Sequence, residues 1–132
     1  MRYLLDTNAC VDYLTGRYPG LVDRVQRSRP ENLCLSSIAA AELRYGAEKS
    51  AQKERNHALL DVFLDQIECL AFDTEAASAY GQLRVFLEQQ GQPIGPNDML
   101  IAAHALSIDA TVVTDNVREF GRVPELALEN WR

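Results

Sequence analysis

Short apolar segments that do not alternate with polar residues recur along the chain, and stretches with helical periodicity separate them. Five segments of this kind, the last one weaker, lie at residues 3–5, 33–35, 68–72, 111–114 and 126–128. A strand that alternates has one solvent face, whereas an uninterrupted apolar strand is buried on both faces. The sequence therefore predicts a mainly parallel sheet of four to five strands with helices on both sides.

The intervening segments carry apolar residues three and four positions apart, as amphipathic helices do. They predict helices over residues 9–14, 21–28, 38–46, 55–66, 75–87 and 98–107. Ser36-Ser37, Thr74 and Asn97 stand where helix caps are expected. Residues 115–120 are expected to form a polar turn or a short helix.

The composition fits one domain over residues 1–132. The chain is 47% hydrophobic, which excludes a disordered protein. Its formal net charge of −6 argues against a protein that coats nucleic acid by bulk charge. No apolar run approaches the ~18 residues of a membrane span, and the first residues do not resemble a signal peptide. We expect a cytoplasmic protein without membrane contact.

Two residue types are expected to be structural rather than functional. The cysteines Cys10, Cys34 and Cys69 are widely spaced and form no Cys-x-x-Cys pair, which disfavours zinc and a disulfide framework. We expect all three to be small buried apolar residues. His57 and His104 lie far apart in the sequence, and we expect them to stabilise the fold rather than to take part in catalysis.

Acidic residues stand where strands end and helices begin. Asp6 follows the first predicted strand and Asp115 the fourth, whereas Asp98 begins a helix after a Gly-Pro loop. Glu42 lies inside the helix after the second strand, within the apolar stretch 38–43. Ligands of a parallel sheet bind at the carboxyl ends of its strands. We therefore expect the four carboxylates to meet at one edge of the sheet.

Each of these acids also has a purely structural explanation. Asp6 could cap a helix, Asp98 could be an acid that the helix dipole favours, and Asp115 could belong to a turn. Glu42 could form an ion pair with Arg44. A carboxylate among alanines is costly to bury without a partner, so the position of Glu42 favours a functional site.

Carboxylates that crowd together cannot all stay ionised unless a cation neutralises them. A ligand set made of oxygen atoms favours Mg²⁺, or Mn²⁺ as a substitute, over zinc. Such ions polarise a phosphoryl oxygen and lower the pKa of bound water. The acidic residues therefore predict hydrolysis of a phosphate ester.

Four motifs in series resemble the PIN domain, and most closely the VapC-type toxins of bacterial toxin–antitoxin pairs. The motifs are Asp6-Thr7-Asn8, Ser36-Ser37 with Ala41-Glu42-Leu43-x-Tyr45-Gly46, the run 96–103, and Val113-Thr114-Asp115-Asn116-x-x-Glu119-Phe120. They stand in the family's order and spacing, and they cover essentially the whole chain.

This resemblance implies a three-layer α/β/α sandwich, a homodimer, and a magnesium-dependent endoribonuclease that a VapB-type antitoxin inhibits. The family's acids correspond to Asp6, Glu42 and Asp98, as metal ligands and catalytic groups. The sequence Tyr45-Gly46-Ala47-Glu48-Lys49 resembles a branch whose members include toxins that cut initiator tRNA in its anticodon stem-loop. The expected substrate is therefore a structured RNA, with tRNA foremost.

The chain departs from the family pattern at the fourth acidic position. Many PIN domains have an acid two residues after the threonine, where this chain has Asn116, and Asp115 stands one residue earlier. Either Asp115 turns into the site, or Asn116 ligates without a charge. Thr7, Asn8 and Thr114 are expected to orient the carboxylates.

Basic and apolar residues suggest how partners are bound. Three basic groups are expected to rim the pocket and contact phosphates: Arg17, Arg24, Arg27 and Arg29; Lys49, Lys53 and Arg55; Arg118 and Arg122. The apolar surplus of residues 21–25 and 55–67 is expected to form a dimer interface and a groove for an antitoxin helix or tail.

Other functions remain open at this point. A magnesium-dependent phosphatase with Asp6 as nucleophile would need a second acid two residues on, where Asn8 stands. A phosphoacceptor module with Asp73 as its central residue lacks the acidic pair such modules need. A PIN fold that binds RNA but cuts it weakly is a further alternative, because Asn116 carries no charge.

Overall fold

Five parallel strands form one central sheet in the computed structural model, which describes all 132 residues. Their order is β3-β2-β1-β4-β5. The strands are β1 (Tyr3–Leu5), β2 (Leu33–Ser36), β3 (Glu68–Leu70), β4 (Thr111–Val113) and β5 (Leu128–Glu129). The predicted number of strands and their parallel direction are confirmed.

Seven helices surround the sheet and complete a three-layer α/β/α sandwich. They are α1 (Thr7–Thr15), α2 (Pro19–Arg27), α3 (Ser37–Glu48), α4 (Lys53–Gln66), α5 (Thr74–Gln89), α6 (Pro96–Ser107) and the short α7 (Val117–Phe120). A 3₁₀ turn at Pro30–Asn32 precedes β2. The helices are those that the periodicity predicts, and most of them begin one or two residues earlier than predicted.

The core lies on both faces of the three central strands. Every residue of β2 and β4 is buried, and Leu4 and Leu5 of β1 are completely inaccessible to solvent. This burial is what an apolar strand without alternation predicts. The edge strand β3 is largely exposed instead. Cys69 on this strand is therefore exposed, and its expected burial was wrong because an edge strand lacks cover on one side.

Helix caps differ from the predicted ones at two places. Ser36 caps α3 by accepting from the Ile38 N–H, as expected. The cap of α5 is Asp73, one residue before the predicted Thr74. Helix α6 begins at Pro96 with no side-chain cap, although Asn97 was expected to fill that role. Proline at the first helical position has no N–H to satisfy and a backbone already suited to a helix.

Apolar side chains that the core does not cover lie on α1, α4 and α5. Leu59 and Val62 on α4 are about half exposed, and so is Val85 on α5. The apolar residues Leu21 and Val25 of α2 are buried in the core. The expected apolar surface of residues 21–25 was therefore wrong, because these side chains pack inward.

None of the helices is long and apolar enough to cross a membrane.

Candidate active site

The strand order reverses between β1 and β4, and both strands end at the same crevice. The chain runs from β1 outward to β2 and β3, and then returns to the other side of β1 as β4 and β5. The Asp6 N–H donates to the Val113 carbonyl at 3.1 Å, which fixes the ends of β1 and β4 side by side. Such a switch point is where parallel sheets bind ligands.

Asp6 is buried at this switch point, with 2% of its surface exposed. It caps α1, since its Oδ1 accepts from the Ala9 N–H at 2.8 Å. Burial raises the pKa of Asp6 to about 6, and the charges of Asp98 and Asp115 add to the rise. The Thr114 hydroxyl and the Ala9 N–H partly oppose it. Capping and a place in the acidic cluster are thus compatible roles of one carboxylate.

Glu42 reaches the same crevice from α3. Its Oε1 accepts from the Thr7 hydroxyl at 2.5 Å, a contact that places Thr7 where it was predicted to act. The alternative pair with Arg44 does not form, because the Arg44 guanidinium contacts Asp61 at 2.6 Å and His57 at 3.0 Å. Glu42 is half-buried and keeps its second oxygen free of protein hydrogen bonds.

Asp98 enters from the first turn of α6 and is half-buried. Burial raises its pKa, and the negative charges of Glu119 and Glu42 raise it further. Its Oδ2 lies 3.5 Å from the Asn116 side-chain nitrogen, which opposes the rise. Asp98 is therefore the acid that is electrostatically coupled to the other members of the cluster.

Glu119 is a member of the cluster that was not among the predicted site residues. Its Oε2 accepts from the Asn116 side chain at 2.7 Å, and its Oε1 accepts from the Gly95 N–H at 2.9 Å. These two donors lower the pKa of Glu119. The signal in the sequence was its position three residues after Asn116, at the spacing of neighbours on a helix face.

Asp115 makes its side-chain contacts with Arg132 and Asn8, and its charge still raises the pKa of Asp6 and Asp98. Its Oδ2 pairs with the Arg132 guanidinium at 2.9 Å, and its Oδ1 lies 3.4 Å from the Asn8 side chain. Asn8 is exposed and orients Asp115 only. Between the two candidates for the fourth position, Asn116 is the one whose side chain contacts Asp98 and Glu119.

The carboxylates are close enough to change one another's pKa but not close enough to enclose an ion. No group of three Asp, Glu, His or Cys side chains lies at direct metal-binding distance. Mg²⁺ keeps several of its waters and takes one or two protein carboxylates. The all-oxygen donor set and the raised pKa of Asp6 fit a hydrated ion of this kind, and they do not fit a site that replaces the whole water shell.

Three cations of the expected basic rim are held in ion pairs. They are Arg24 with Glu129, Arg27 with Asp23 and Lys53 with Glu48. The cations without an ion pair are Arg17, Arg29, Lys49, Arg55, Arg118 and Arg122. Lys49 lines a cavity that Thr7 and Glu42 also line.

The histidines make structural contacts. His104 is buried, lies 2.7 Å from the Ser36 hydroxyl, and packs edge-on against Phe72. Burial lowers its pKa and favours the neutral ring. His57 contacts Arg44 and Glu48 at the surface of α3 and α4. Neither ring touches the acidic cluster.

A parallel α/β/α sheet with a carboxylate cluster at its switch point defines a class of protein: a hydrolase of phosphate esters that works with acidic side chains. Comparison with known proteins identifies the family within this class. The PIN domain family matches residues 3–126. The chain is 46% identical to Ribonuclease VapC2 of Rickettsia felis, over 99% of this chain and 98% of that protein.

Other similar proteins also match over nearly the whole chain, and their names also contain VapC or VapBC. The tRNA(fMet)-specific endonuclease VapC of Salmonella typhimurium is 41% identical, over 99% of this chain and 98% of that protein. A crystal structure of DNA-bound VapBC from Salmonella typhimurium superposes with a TM-score of 0.95 at 41% identity, over 100% of this chain and 99% of that chain. The crystal structure of VapBC2 from Rickettsia felis bound to a promoter DNA fragment superposes with a TM-score of 0.93 at 43% identity, over 100% of both chains.

The chain belongs to the PIN-domain family and, within it, to the VapC ribonucleases. PIN-domain VapC nucleases are generally dependent on a divalent metal ion. Membership disfavours the phosphatase and phosphoacceptor alternatives.

Proposed function

We propose that the chain is a Mg²⁺-dependent endoribonuclease, the toxin of a VapBC-type pair, with Mn²⁺ as a possible substitute. The observation that carries this proposal is the convergence of carboxylates on one crevice: Asp98 raises the pKa of Asp6, which burial raises most, and Glu119 and Glu42 raise the pKa of Asp98. Four carboxylates from separate elements repel one another, so a cation is needed to hold them ionised together.

Asp6 and Asp98 are the residues that would hold the metal ion, with Glu42 beside them. When bound, the ion supplies Lewis-acid stabilisation of the scissile phosphate and lowers the pKa of water. The contact of Asn116 with Asp98 and Glu119 would orient the first and keep the second ionised. Glu119 supplies the fourth charge, which favours an active nuclease over a weakly cutting RNA-binding module.

Glu42 would position the attacking water and accept its proton. The Thr7 hydroxyl occupies Oε1 of Glu42, so Oε2 is available to a water molecule in the crevice. A positioned general base of this kind typically contributes about 10²–10⁴-fold to a rate. Thr7 would hold the base in place, and Thr114 would favour the ionised form of Asp6.

A cleavage assay with purified protein tests this function. Asp98→Asn and Asp6→Asn should each abolish metal-dependent cutting of RNA while the folded structure persists, because asparagine keeps the shape but removes the charge. Glu88→Gln, an exposed change on α5, is the matched control and should cut like the unmodified protein. Undiminished metal-dependent cutting by Asp98→Asn would contradict the mechanism.

The proposed substrate is a structured RNA, and initiator tRNA cut in its anticodon stem-loop is the specific candidate. The support is the 41% identity to a protein named tRNA(fMet)-specific endonuclease. Digestion of a panel of purified tRNAs, with cut sites mapped by primer extension, tests the choice. Equal cutting of initiator and elongator tRNAs would contradict it.

A VapB-type antitoxin is the proposed protein partner, since the similar solved structures are VapBC complexes. An apolar groove of about 330 Å³ lies between α1, α3 and α4, and Val11 and Leu59 are exposed along it. Thr7 and Glu42 line its end. An antitoxin helix or tail in this groove could place an arginine beside the carboxylates.

The chain is also proposed to form a homodimer. Val85 and Phe86 on α5 are exposed apolar side chains and supply surface for a second copy. Light scattering should give the mass of two chains at micromolar concentration, whereas a monomer up to high micromolar concentration would contradict the dimer.

A further inference from the structure

A trough of about 560 Å³ runs from the acidic crevice along one face of α3. Thr7 and Glu42 lie at its inner end, and Asn97 and Leu100 of α6 form part of its wall. Tyr45 lies further along α3, and Lys49 caps the end of that helix. Positions 42, 45 and 49 are three and four residues apart, so they share one face of the helix. At 1.5 Å per residue, Lys49 stands about 10 Å along the axis from Glu42.

Tyr45 is an aromatic side chain that the fold leaves exposed. Two thirds of its surface, 66%, is accessible to solvent, and the ring makes no hydrogen bond. Tyr3 and Trp131, by contrast, pack against each other with 5.1 Å between their ring centroids. Because a ring this exposed adds little to the core, it is available to a ligand.

Lys49 is a cation that the fold leaves without an ion pair. Its Nζ lies 4.7 Å from the centroid of the Tyr45 ring, which holds the ammonium beside the trough. The nearby Glu48 does not neutralise it, since both oxygens of Glu48 are taken by Lys53 and His57. The outer end of the trough therefore combines an aromatic ring with a positive charge, and the inner end carries the carboxylate of Glu42.

We propose that this trough is a nucleotide subsite: Tyr45 stacks on an unpaired RNA base next to the scissile phosphate, and Lys49 binds a backbone phosphate. The inference rests on the proposed ribonuclease function and adds the residues that seat the substrate. Aromatic stacking with a lysine contact is the chemistry by which proteins hold single-stranded RNA. A trough continuous with Glu42 places such a nucleotide at the reacting centre.

The trough also accounts for how an acidic protein holds an acidic substrate. The net charge of −6 and the carboxylate cluster repel RNA at long range. Stacking does not depend on charge, and Lys49 offers one local cation beside the cluster. We therefore expect stacking on Tyr45 to contribute more to RNA affinity than the charge of Lys49, so that the affinity depends only weakly on salt concentration.

Two paired comparisons test the subsite. RNA binding is measured by fluorescence anisotropy in an Asp98→Asn background, so that the labelled single-stranded RNA of about 12 nucleotides stays intact. Tyr45→Ala should weaken binding about tenfold, whereas Tyr45→Phe should bind like the background.

Lys49→Ala should reduce the slope of log affinity against log salt by about 0.7. Arg27→Ala, which removes one positive charge from an existing ion pair with Asp23 on α2, should leave the slope unchanged.

Cleavage kinetics with Asp98 intact separate substrate binding by Tyr45 from a purely structural effect of the substitution. Tyr45→Ala should raise KM about tenfold and change kcat less, with an unfolding temperature close to that of the unmodified protein. Equal affinity and KM for Tyr45→Ala and Tyr45→Phe would overturn the subsite while leaving the ribonuclease in place. Loss of the dimer on substitution of Tyr45 would assign the surface to a second copy and also overturn it.

If the proposed ribonuclease function is wrong, the same assays give a different result from failure of the subsite alone. An unmodified protein that neither cuts nor binds RNA in the presence of Mg²⁺ or Mn²⁺ would overturn both the ribonuclease and the subsite.

Discussion

At the scale of single residues, Asp6 carries the clearest energetic consequence of the acidic cluster. Its pKa is about 6 in the folded chain and 3.8 ordinarily, so the folded state binds a proton more tightly than the unfolded state. The stability that protonation contributes is fully present below about pH 4 and is lost as the pH rises through about 6. At neutral pH the ionised carboxylate therefore destabilises the metal-free protein.

Asp6→Asn should consequently raise the free energy of unfolding of the metal-free protein by about 1–2 kcal/mol at pH 7.5. The asparagine oxygen can still cap α1, so the capping contact with Ala9 is kept. The gain should shrink as the pH falls below about 6 and should vanish well below 3.8, where Asp6 is protonated in both states. Urea denaturation in a chelator at both pH values measures the change, and Asp23→Asn at the exposed surface of α2 is the control. A loss of stability at pH 7.5 would contradict this electrostatic account.

Arg132 is the ion-pair partner of both Asp12 and Asp115. Its guanidinium pairs with Asp12 at 2.8 and 3.2 Å and with Asp115 at 2.9 Å, and it packs over the Tyr18 ring. The Asp12 side chain is only 7% exposed, so the loss of its partner would leave a buried carboxylate without a counter-charge.

We expect Arg132→Ala to destabilise the chain by about 1–3 kcal/mol. Arg27→Ala, which breaks an exposed pair with Asp23, should have almost no effect. The second change Asp12→Asn should restore much of the stability, because it removes the unpaired charge. Thermal unfolding of the three variants measures this, and equal losses for Arg132→Ala and Arg27→Ala would be the contrary result.

The sequence predicts some of these residues better than others. Asp6 could be placed because it directly follows a buried strand at the centre of the sheet. The choice between Asp115 and Asn116 could not be made, because it depends on Arg132, far away in the sequence, which pairs with Asp115. Glu119 was missed because its spacing from Asn116 is a weak signal on its own, and its contact with the Gly95 N–H joins α7 to a segment 24 residues earlier in the sequence.

At the scale of secondary-structure elements, the short helix α7 holds Glu119 against the cluster. Gly121 ends this helix, and a Cβ there would stand 2.6 Å from the Val117 carbonyl oxygen. Contacts this short force the backbone to move. Gly81 in the middle of α5 meets nothing within 4 Å, so it offers a matched glycine with open space around it.

Gly121→Ala should lower the free energy of unfolding by about 1–3 kcal/mol and should slow RNA cleavage, because α7 shifts and carries Glu119 with it. Gly81→Ala should stabilise the chain by up to about 1 kcal/mol, since alanine favours a helix interior. Urea denaturation and a cleavage assay on both variants measure these effects. A stabilising Gly121→Ala would show that α7 does not depend on this close approach.

The strands at the centre of the sheet, which are buried on both faces, could be predicted well. The strands at the edges of the sheet could be predicted less well. The strands β1, β2 and β4 read as apolar runs because helices cover both their faces. The edge strand β3 was predicted two residues too long, since the apolar residues that follow it pack on helices instead of extending the sheet. Phe72, for example, contacts His104 of α6.

At the scale of the whole molecule, the fold followed from the order of strands and helices, whereas the surface did not. Seven of the thirteen Arg and Lys side chains form ion pairs. Their partners lie on other elements or on neighbouring helical turns. The expected basic rim is therefore thinner than the sequence suggests. The apolar residues of α2 likewise turned out to be core, because helical periodicity alone does not tell which face the sheet covers.

Asp6, Glu42, Asp98 and Glu119 are proposed to form one site for a divalent ion. Calorimetric titration of Mn²⁺ into the unmodified protein and into Asp98→Asn measures whether they do, with Glu88→Gln as the charge-matched control. We predict saturable binding to the unmodified protein and to Glu88→Gln, and loss of that binding in Asp98→Asn. Binding of equal strength to Asp98→Asn, or no binding to any of the three proteins, would contradict the account.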